Sequence, residues 1–329
     1  AAAPPLFLPH ADPEGVRALL GLAPDPDLDR LLRLTPRLVG LFRLPMPYAP
    51  HGVMIGAQVA CADGTFSATG VGETPRAALG ACLGEAAEVL AQAAPACFDA
   101  PDIGLAGWSL RPGPAVPGLL RPSTERRPVP AGLCFRRGDG IGCSSLGVAT
   151  GRDFDAARRA ALFELIERHA LAEWRAHGRR AGTPAEATAA SAAALLARLK
   201  RPGDAPAVGL AVLHSSVGAP VVLAASSRGW GCAAAETEKE AARRAVLELV
   251  AAETGAALDE ARGRPPPHPP PRPVVGAPAP ARPPFDLDTL IADLAARGAP
   301  VIEVDLSRPE IPTPVVKLFC AALDCDAFG

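Results

Sequence analysis

The stretch from Gly140 to Arg175, GIGCSSLGVATGRDFDAARRAALFELIERHALAEWR, joins a turn of small residues directly to a long amphipathic segment. Its glycines and hydroxyl residues allow the backbone to bend tightly and to turn N–H groups toward an anion. Asp153 can cap a helix, and alanines then recur at helical spacing, with Leu162, Phe163 and Ile166 widening the apolar face. The pattern predicts a tight turn followed by a helix.

The charged residues of this helix suggest its chemistry. Glu164 and Glu167 lie three residues apart, so both carboxylates project from one side, with Arg168 beside them. Paired carboxylates can hold Mg2+, which takes oxygen ligands and is usually bound through carboxylates and substrate phosphates. A charged face exposed to solvent is the alternative interpretation, because most charge runs have that role.

Composition indicates a globular protein. The chain has 329 residues, of which 49% are hydrophobic and 21% charged, enough for a sizeable core in one large domain or two. The net charge of −2 gives no electrostatic reason to expect a nucleic acid or a membrane as partner.

The cysteines and the N-terminus indicate the compartment. Eight cysteines are scattered without a Cys-x-x-Cys pair, which fits reduced and buried thiols. The N-terminus has no basic region before an apolar one, and no apolar run approaches the length of a membrane span. We therefore expect a soluble, cytoplasmic protein.

Two regions precede the central stretch. Residues 1–50 are predicted to form an N-terminal helical segment, and 51–329 the main domain. Gly52–Val71 reads as a hairpin that turns at Ala62-Asp63-Gly64, because Asp-Gly favours tight hairpin turns. Thr74-Pro75 then starts a helix that carries Glu85 and Glu88, a second carboxylate pair at the same spacing.

The later elements are a connection over 95–133 with one strand near Leu105–Leu110, a helical region over 181–200, a hairpin over Leu210–Ala225, a helix over Phe285–Arg297 and strands over Val301–Leu306 and Pro314–Phe319. A third strand, glycine turn and acidic helix occupy 226–253, with Glu248 and Glu253 as the acids. The proline-rich segment 264–284 is predicted to be an extended or disordered loop.

These motifs, in this order, resemble the YcaO family between Gly70 and Leu323. The order is Gly-x-Gly-x-Thr-Pro-x-x-Ala with Glu-x-x-Glu, then Cys-Ser-Ser-x-Gly-x-Ala-x-Gly with Glu-x-x-Glu-Arg-x-Ala, then Gly-x-Gly-Cys-Ala, and finally VDLSRPEIPTPVVKL. The resemblance implies an α+β fold with repeated strand, glycine-turn and acidic-helix units around a nucleotide cleft. It also implies that ATP and Mg2+ activate a peptide backbone amide, giving azoline rings from Cys, Ser or Thr, or thioamides, in ribosomally made peptides.

Site residues follow from the resemblance by position. It implies that four acids bind Mg2+, namely Glu85, Glu88, Glu164 and Glu167. It implies that four other residues contact the nucleotide, namely Ser144, Ser145, Arg168 and Glu248. No residue is assigned a catalytic role. The chain departs from the family at several positions where polar or nucleotide-contacting residues are expected: Val89, Leu146, Ala149, Arg152, Ala156, Ala251 and Glu253.

The implied partners are a precursor peptide and a separate leader-peptide-binding (E1-like) protein, because no part of the sequence reads as a fused recognition domain. Family members are commonly homodimers, so we expect one here. The sequence ends LDCDAFG, without the proline-rich tail of many ring-forming members. The departures from the family at polar and nucleotide-contacting positions support the alternative, a degraded family member that serves as a scaffold or binding subunit of a peptide-modifying complex.

Overall fold

The computed structural model describes residues 7–9, 12–61, 64–93, 115–136, 144–176, 180–201, 203, 206–264, 274–278 and 285–323. The strands in these residues are β1 Phe7–Pro9, β2 Leu38–Leu44, β3 Val53–Cys61, β4 Gly64–Gly72, β5 Ala115–Arg121, β6 Arg126–Pro130, β7 Val148–Thr150, β8 Arg180–Thr183, β9 Gly209–Leu213, β10 Val221–Ala225, β11 Trp230–Ala234, β12 Val274–Pro278, β13 Val301–Asp305 and β14 Val315–Phe319. The α-helices are α1 Pro13–Leu20, α2 Pro26–Leu32, α3 Pro75–Gln92, α4 Ala131–Cys134, α5 Phe154–Ala176, α6 Glu186–Leu199, α7 Glu238–Ala261 and α8 Leu287–Ala296.

The described strands form three sheets. Their orders are β1-β2-β3-β4, β11-β10-β9-β8-β12 and β6-β5-β13-β14-β7. All neighbouring pairs in these sheets are antiparallel except β12 and β8, which run parallel. Antiparallel sheets combined with separate helices make an α+β architecture, so the predicted fold class is confirmed.

Three long helices connect the sheets. Helix α3 packs on β3 and β4 and also contacts β7 and β14. Helix α5 packs on β14 and β7 and reaches β11, β10 and β9, whereas α7 packs on β11 and β10 and contacts β4. Each of the three helices therefore lies against two different sheets.

The starts of these helices follow from their capping residues. The Thr74 hydroxyl accepts a hydrogen bond from Ala77 N at 3.2 Å, and the Thr237 hydroxyl accepts one from Glu240 N at the same distance. Asp153 caps α5 by accepting from Ala156 N at 2.7 Å. A side-chain oxygen here satisfies one of the N–H groups that a helix start leaves without an intrahelical partner.

Two glycines let helices approach their own strands closely. A Cβ on Gly70 in β4 would lie 2.2 Å from Ala78 O, and one on Gly231 in β11 would lie 2.3 Å from Ala245 O. Both distances are far inside contact range, so the α3–β4 and α7–β11 separations depend on the missing side chain.

Several predicted elements are present. The N-terminal helices are α1 and α2, separated by the Pro24–Pro26 turn, and the two predicted hairpins are β3–β4 and β9–β10. Ala62 and Asp63 of the first turn lie outside the described residues. Helix α8 and strands β13 and β14 match the remaining C-terminal predictions.

Other predictions were wrong. The connection over 95–133 contains β5, β6 and α4, and the region 181–200 begins with β8 before α6. Prolines interrupt the alternation of β5 and β6, which hid them. The proline-rich segment 264–284 includes β12 and is not wholly a loop, because β8 supplies its partner. The strand predicted near Leu105–Leu110 lies outside the described residues.

The boundary predicted at residue 50 stays a prediction, although β2 on one side pairs with β3 on the other along the sheet. Five cysteines fall in the described part of the chain, and none of the five is joined in a disulfide: Cys61, Cys82, Cys134, Cys232 and Cys320. No helix of the described chain combines the length and apolar character needed to cross a membrane.

Candidate functional site

Each of α3, α5 and α7 presents a glutamate in the same local setting. The spacing from cap to acid is eleven residues in all three helices: Thr74 to Glu85, Asp153 to Glu164 and Thr237 to Glu248. Each acid accepts a hydrogen bond from a backbone N–H at or just before the strand that precedes its helix: Thr69 to Glu85 at 2.6 Å, Gly147 to Glu164 at 3.1 Å and Cys232 to Glu248 at 3.3 Å. In each case, one carboxylate oxygen therefore ties the helix to the backbone of the strand before it, or of the turn that leads into that strand.

A second acid follows one turn later in two of these helices. Glu88 on α3 accepts from Thr150 N of β7 at 2.9 Å, which ties the first unit to the second. Glu167 on α5 is buried, and its Oε1 has no hydrogen-bond partner. Helix α7 has Ala251 at the corresponding position. The five glutamates Glu85, Glu88, Glu164, Glu167 and Glu248 are called the acidic cluster below.

The acids of the cluster act on one another. The pKa of Glu88 is raised to about 8, mainly by burial and also by the carboxylates of Glu164 and Glu85. Burial raises the pKa of Glu164 to about 7, although Arg168 opposes the shift. Burial and the carboxylate of Glu248 raise the pKa of Glu167 well above its ordinary value. The cluster therefore joins all three helices and favours an added positive charge.

Cations surround the cluster. Arg168 is exposed, with its Nε 3.4 Å from Glu167 Oε1, and it acts electrostatically on Glu164 and Glu248. The charge of Lys317 on β14 lowers the pKa of Glu164, and the charge of Arg244 on α7 lowers that of Glu167, each opposing the effect of burial. Glu248 is itself exposed. An open face with both carboxylates and guanidinium groups suits a metal ion together with phosphates.

The side chains of the cluster are of the chemical type that binds Mg2+. Within the described residues, no three His, Cys, Asp or Glu side chains are already arranged around one point to ligate an ion. The buried Glu167 Oε1 is nevertheless an unsatisfied oxygen, and buried oxygens are costly without a partner. Carboxylate oxygens are the ligands that Mg2+ prefers, and such a charge would satisfy this atom.

The predicted nucleotide contacts Ser144 and Ser145 lie just before the turn that leads into β7, and both are exposed. The Ser144 hydroxyl accepts from Leu146 N at 3.0 Å, and Ser145 O accepts from Val148 N at 3.1 Å. The turn ends at Gly147, whose φ is +73°. Gly140 and Gly142, which belong to the predicted turn, lie outside the described residues.

Two residues of this region were missed from the sequence. Lys317 is 2% exposed and donates to Ser144 O, and Gln92 at the end of α3 donates to the same oxygen at 3.3 Å. A lysine within the apolar run Val315–Phe319 was a signal for the first, since lysine is almost never buried without a specific partner.

The surroundings of Glu253 on α7 could not be predicted from the sequence. Glu253 is not part of the acidic cluster, because it lies fully buried beside Lys200, with 2.7 Å between Lys200 Nζ and Glu253 Oε2. This ion pair connects the end of α6 to α7. Because Glu253 is fully buried in this ion pair, the structure does not support a nucleotide contact at residue 253.

Comparison with known proteins identifies the family. The family described as YcaO cyclodehydratase, ATP- and Mg2+-binding, matches residues 103–323. The chain belongs to the YcaO family. The predicted relationship is confirmed, and so are the predicted cofactors ATP and Mg2+, which the YcaO family binds.

Solved YcaO and heterocyclase structures share the fold. A YcaO protein from Methanopyrus kandleri bound with AMPPCP and Mg2+ is 21% identical with a TM-score of 0.69, over 94% of this chain and 90% of that one. A heterocyclase in complex with substrate and cofactor is 17% identical with a TM-score of 0.64, over 96% and 53%. The E. coli microcin synthetase McbBCD complex contains a chain 13% identical with a TM-score of 0.56, over 81% and 84%. A search of curated proteins finds no match.

Proposed function

We propose that this YcaO protein is an enzyme that uses ATP and Mg2+ to activate a backbone amide of a ribosomally made peptide. The observation that carries the proposal is the acidic cluster, in which three helices bring five glutamates together beside Arg168 and Lys317. Family membership supplies the reaction class, cyclodehydration of Cys, Ser or Thr to azolines. Thioamide formation is the variant of the same chemistry in which external sulfide attacks the amide.

The proposal gives each group a role. Glu85, Glu88, Glu164 and Glu167 would hold Mg2+, with Oε1 of Glu167, which accepts no hydrogen bond, as one ligand atom. Bound Mg2+ would supply charge neutralisation for the triphosphate during phosphoryl transfer. Arg168 is exposed beside the cluster, so its guanidinium can reach phosphate oxygens. The exposed hydroxyls and amides of Ser144 and Ser145 would face the nucleotide.

The proposed partners are a precursor peptide and a separate leader-binding protein. A structural relative that is described with its substrate, and another that is part of a multi-protein synthetase complex, support this arrangement. A cytoplasmic location and a homodimer belong to the same proposal.

Calorimetric titration with Mg2+ and a non-hydrolysable ATP analogue tests the assignment. We expect the wild type to bind and the variants Glu164→Gln and Glu167→Gln to lose binding, because each keeps the size of the side chain but removes a charge that the metal needs. Loss of one ligand costs several kcal/mol of charge stabilisation, so product formation should fall by roughly a thousandfold or more.

Glu260→Gln is the matched control, since Glu260 lies on α7 but pairs with Arg228 outside the cluster, 2.9 Å away. It should bind as the wild type does. Absence of binding by the wild type, with its partner and peptide present, would contradict the enzymatic assignment.

A scaffold or binding subunit is the second candidate. It is favoured by Ala251, which leaves the third helix with one acid where the other two have a pair. In that case Glu164→Gln and Glu167→Gln would leave the activity of the complex nearly unchanged.

A further inference from the structure

Lys317 is a buried charge that the proposed metal site does not use. It lies in β14, where all five residues are buried, and its own side chain is 2% exposed. A lysine ammonium in an apolar interior costs several kcal/mol unless it is paired and hydrogen-bonded. A chain that keeps such a group in a core strand has a use for it beyond packing.

Three interactions place Lys317 beside the predicted nucleotide contacts. Its Nζ donates to Ser144 O and lies 5.3 Å from the centre of the Phe319 ring. Its charge acts on the carboxylate of Glu164. The ammonium is therefore placed between an acid of the cluster and the backbone that leads into the turn.

The oxygen of Ser144 is held from two directions. Gln92, which is 1% exposed, donates its side-chain amide to this oxygen at 3.3 Å from the end of α3, and Lys317 donates from β14. Two buried side chains from distant parts of the sequence thus converge on one carbonyl. Such convergence orients the peptide unit between Ser144 and Ser145.

The other end of the same turn is held as firmly. Gly147 N donates to Glu164 at 3.1 Å, and Gly147 O accepts from Leu318 N at 2.8 Å. A Cβ at Gly147 would lie 2.5 Å from Leu318 O, so the strand and the turn are in direct contact. Strand β14 therefore holds both ends of the Ser144–Gly147 turn, through Lys317 at one end and Leu318 at the other.

We propose that Lys317 is a positioning residue of the nucleotide site, which holds the Ser144–Gly147 turn in the orientation that receives nucleotide phosphates. This inference rests on the proposed function, because it assumes that the turn meets the nucleotide. The ammonium acts through the Ser144 carbonyl, and Gln92 supports the same oxygen. A turn released at this point would present its N–H groups at the wrong angle even with every glutamate in place.

Lys317→Met tests the role, because it keeps the length of the side chain but removes the charge and the donor. Lys200→Met is the matched control: Lys200 is equally buried, but it pairs with Glu253 away from the cluster. Both variants should lower the melting temperature. Only Lys317→Met should weaken binding of Mg2+ and the ATP analogue, by about tenfold to a hundredfold, the penalty expected for misplacing a binding group by about 1 Å.

Hydrogen exchange separates positioning from general destabilisation. In Lys317→Met, amides of residues 144–150 should exchange faster at a temperature where the rest of the chain is protected, whereas Lys200→Met should leave them unchanged. If Lys317→Met does not fold, Gln92→Leu removes the second donor to Ser144 O and should weaken analogue binding about threefold to tenfold, in line with one lost hydrogen bond.

The outcomes are distinct. Binding by Lys317→Met, or by Gln92→Leu where it replaces that variant, at the wild-type affinity would overturn the inference and leave the proposed function intact. An equal loss in Lys200→Met would also overturn it. A wild type that binds no nucleotide would refute the proposed function itself, and the inference with it.

Discussion

At the scale of single residues, Glu88 and Glu164 have pKa values well above that of an ordinary glutamate. The pKa of Glu88 is raised to about 8 and that of Glu164 to about 7, in both cases mainly by burial. A free glutamate has a pKa of about 4.3. At a pH between that value and the raised pKa values, these two carboxyls are therefore protonated in the folded chain and ionised in the unfolded chain. Protonation of these two carboxyls lowers the negative charge of the cluster.

This difference predicts how stability depends on pH. Between about pH 4.3 and 8 the folded state binds more protons than the unfolded state, so the free energy of unfolding falls as pH rises through that window. In EDTA, we expect the melting temperature of the wild type to drop by on the order of 5 °C between pH 6 and pH 8.5 through these groups. Adding Mg2+ at pH 8.5 should restore it, since the ion binds the ionised carboxylates. Circular dichroism melts give the measurement.

Glu88→Gln provides the comparison, because it removes one of the two shifted groups and nearly preserves the shape of the side chain. Its melting temperature should change less with pH than that of the wild type, whereas Glu260→Gln should follow the wild type. An unchanged pH dependence in Glu88→Gln would show that the Glu88 carboxyl is already ionised in the folded chain across this pH range and would contradict the prediction.

At the scale of elements, glycines set how closely a helix approaches the strand before it. Gly70 in β4 faces the backbone of α3, where its Cβ would lie 2.3 Å from Cys82 N. Gly80, on α3 itself, has open space where its Cβ would be. The same substitution therefore has opposite consequences at two positions in one strand–helix unit.

Gly70→Ala should destabilise the fold by about 1–3 kcal/mol or more, because the backbone of α3 has to move away from β4. Gly80→Ala should stabilise it by about 0.5–1 kcal/mol, because alanine is the better helix former and meets no neighbour. Urea denaturation measures both. Gly70→Ala should also weaken nucleotide binding, since moving α3 displaces Glu85 and Glu88, whereas equal stability of the two variants would contradict this packing.

At the scale of the whole molecule, the three helices of the acidic cluster depend on all three sheets. Helix α3 lies on the sheet that begins with β1 and β2, so the first fifty residues support the helix that carries two of the five acids of the cluster. Their buried side chains pack with those of β3 and α3 in one core: Val16, Leu28, Leu32, Leu38 and Leu41.

A chain that starts at residue 51 should therefore fail to fold cooperatively. Each buried leucine contributes about 1.5–3 kcal/mol, and four of them together approach the total stability of about 5–15 kcal/mol of a typical domain. Thermal melts and analogue binding test this truncation, and a cooperative melt of the shortened chain would show that residue 50 bounds an independent unit.

The sequence alone was enough for features that depend on neighbouring residues. The caps at Thr74 and Asp153, the β3–β4 hairpin and the carboxylate pairs at helical spacing all depend on contacts within a few turns of chain. Short-range geometry is set by backbone sterics and side-chain hydrogen bonds, which local sequence carries. The order of these motifs was also enough to indicate the family.

Tertiary structure alone decided which of these features meet. Glu88 binds Thr150 across 62 residues, Lys317 reaches Ser144 across 173, and β12 finds β8 as its partner within a proline-rich segment. Glu253, five residues after the predicted contact Glu248, instead forms a buried ion pair with Lys200. Such pairings depend on the packing of three sheets around three helices, and side chains far apart in sequence carry no local signal of their partners.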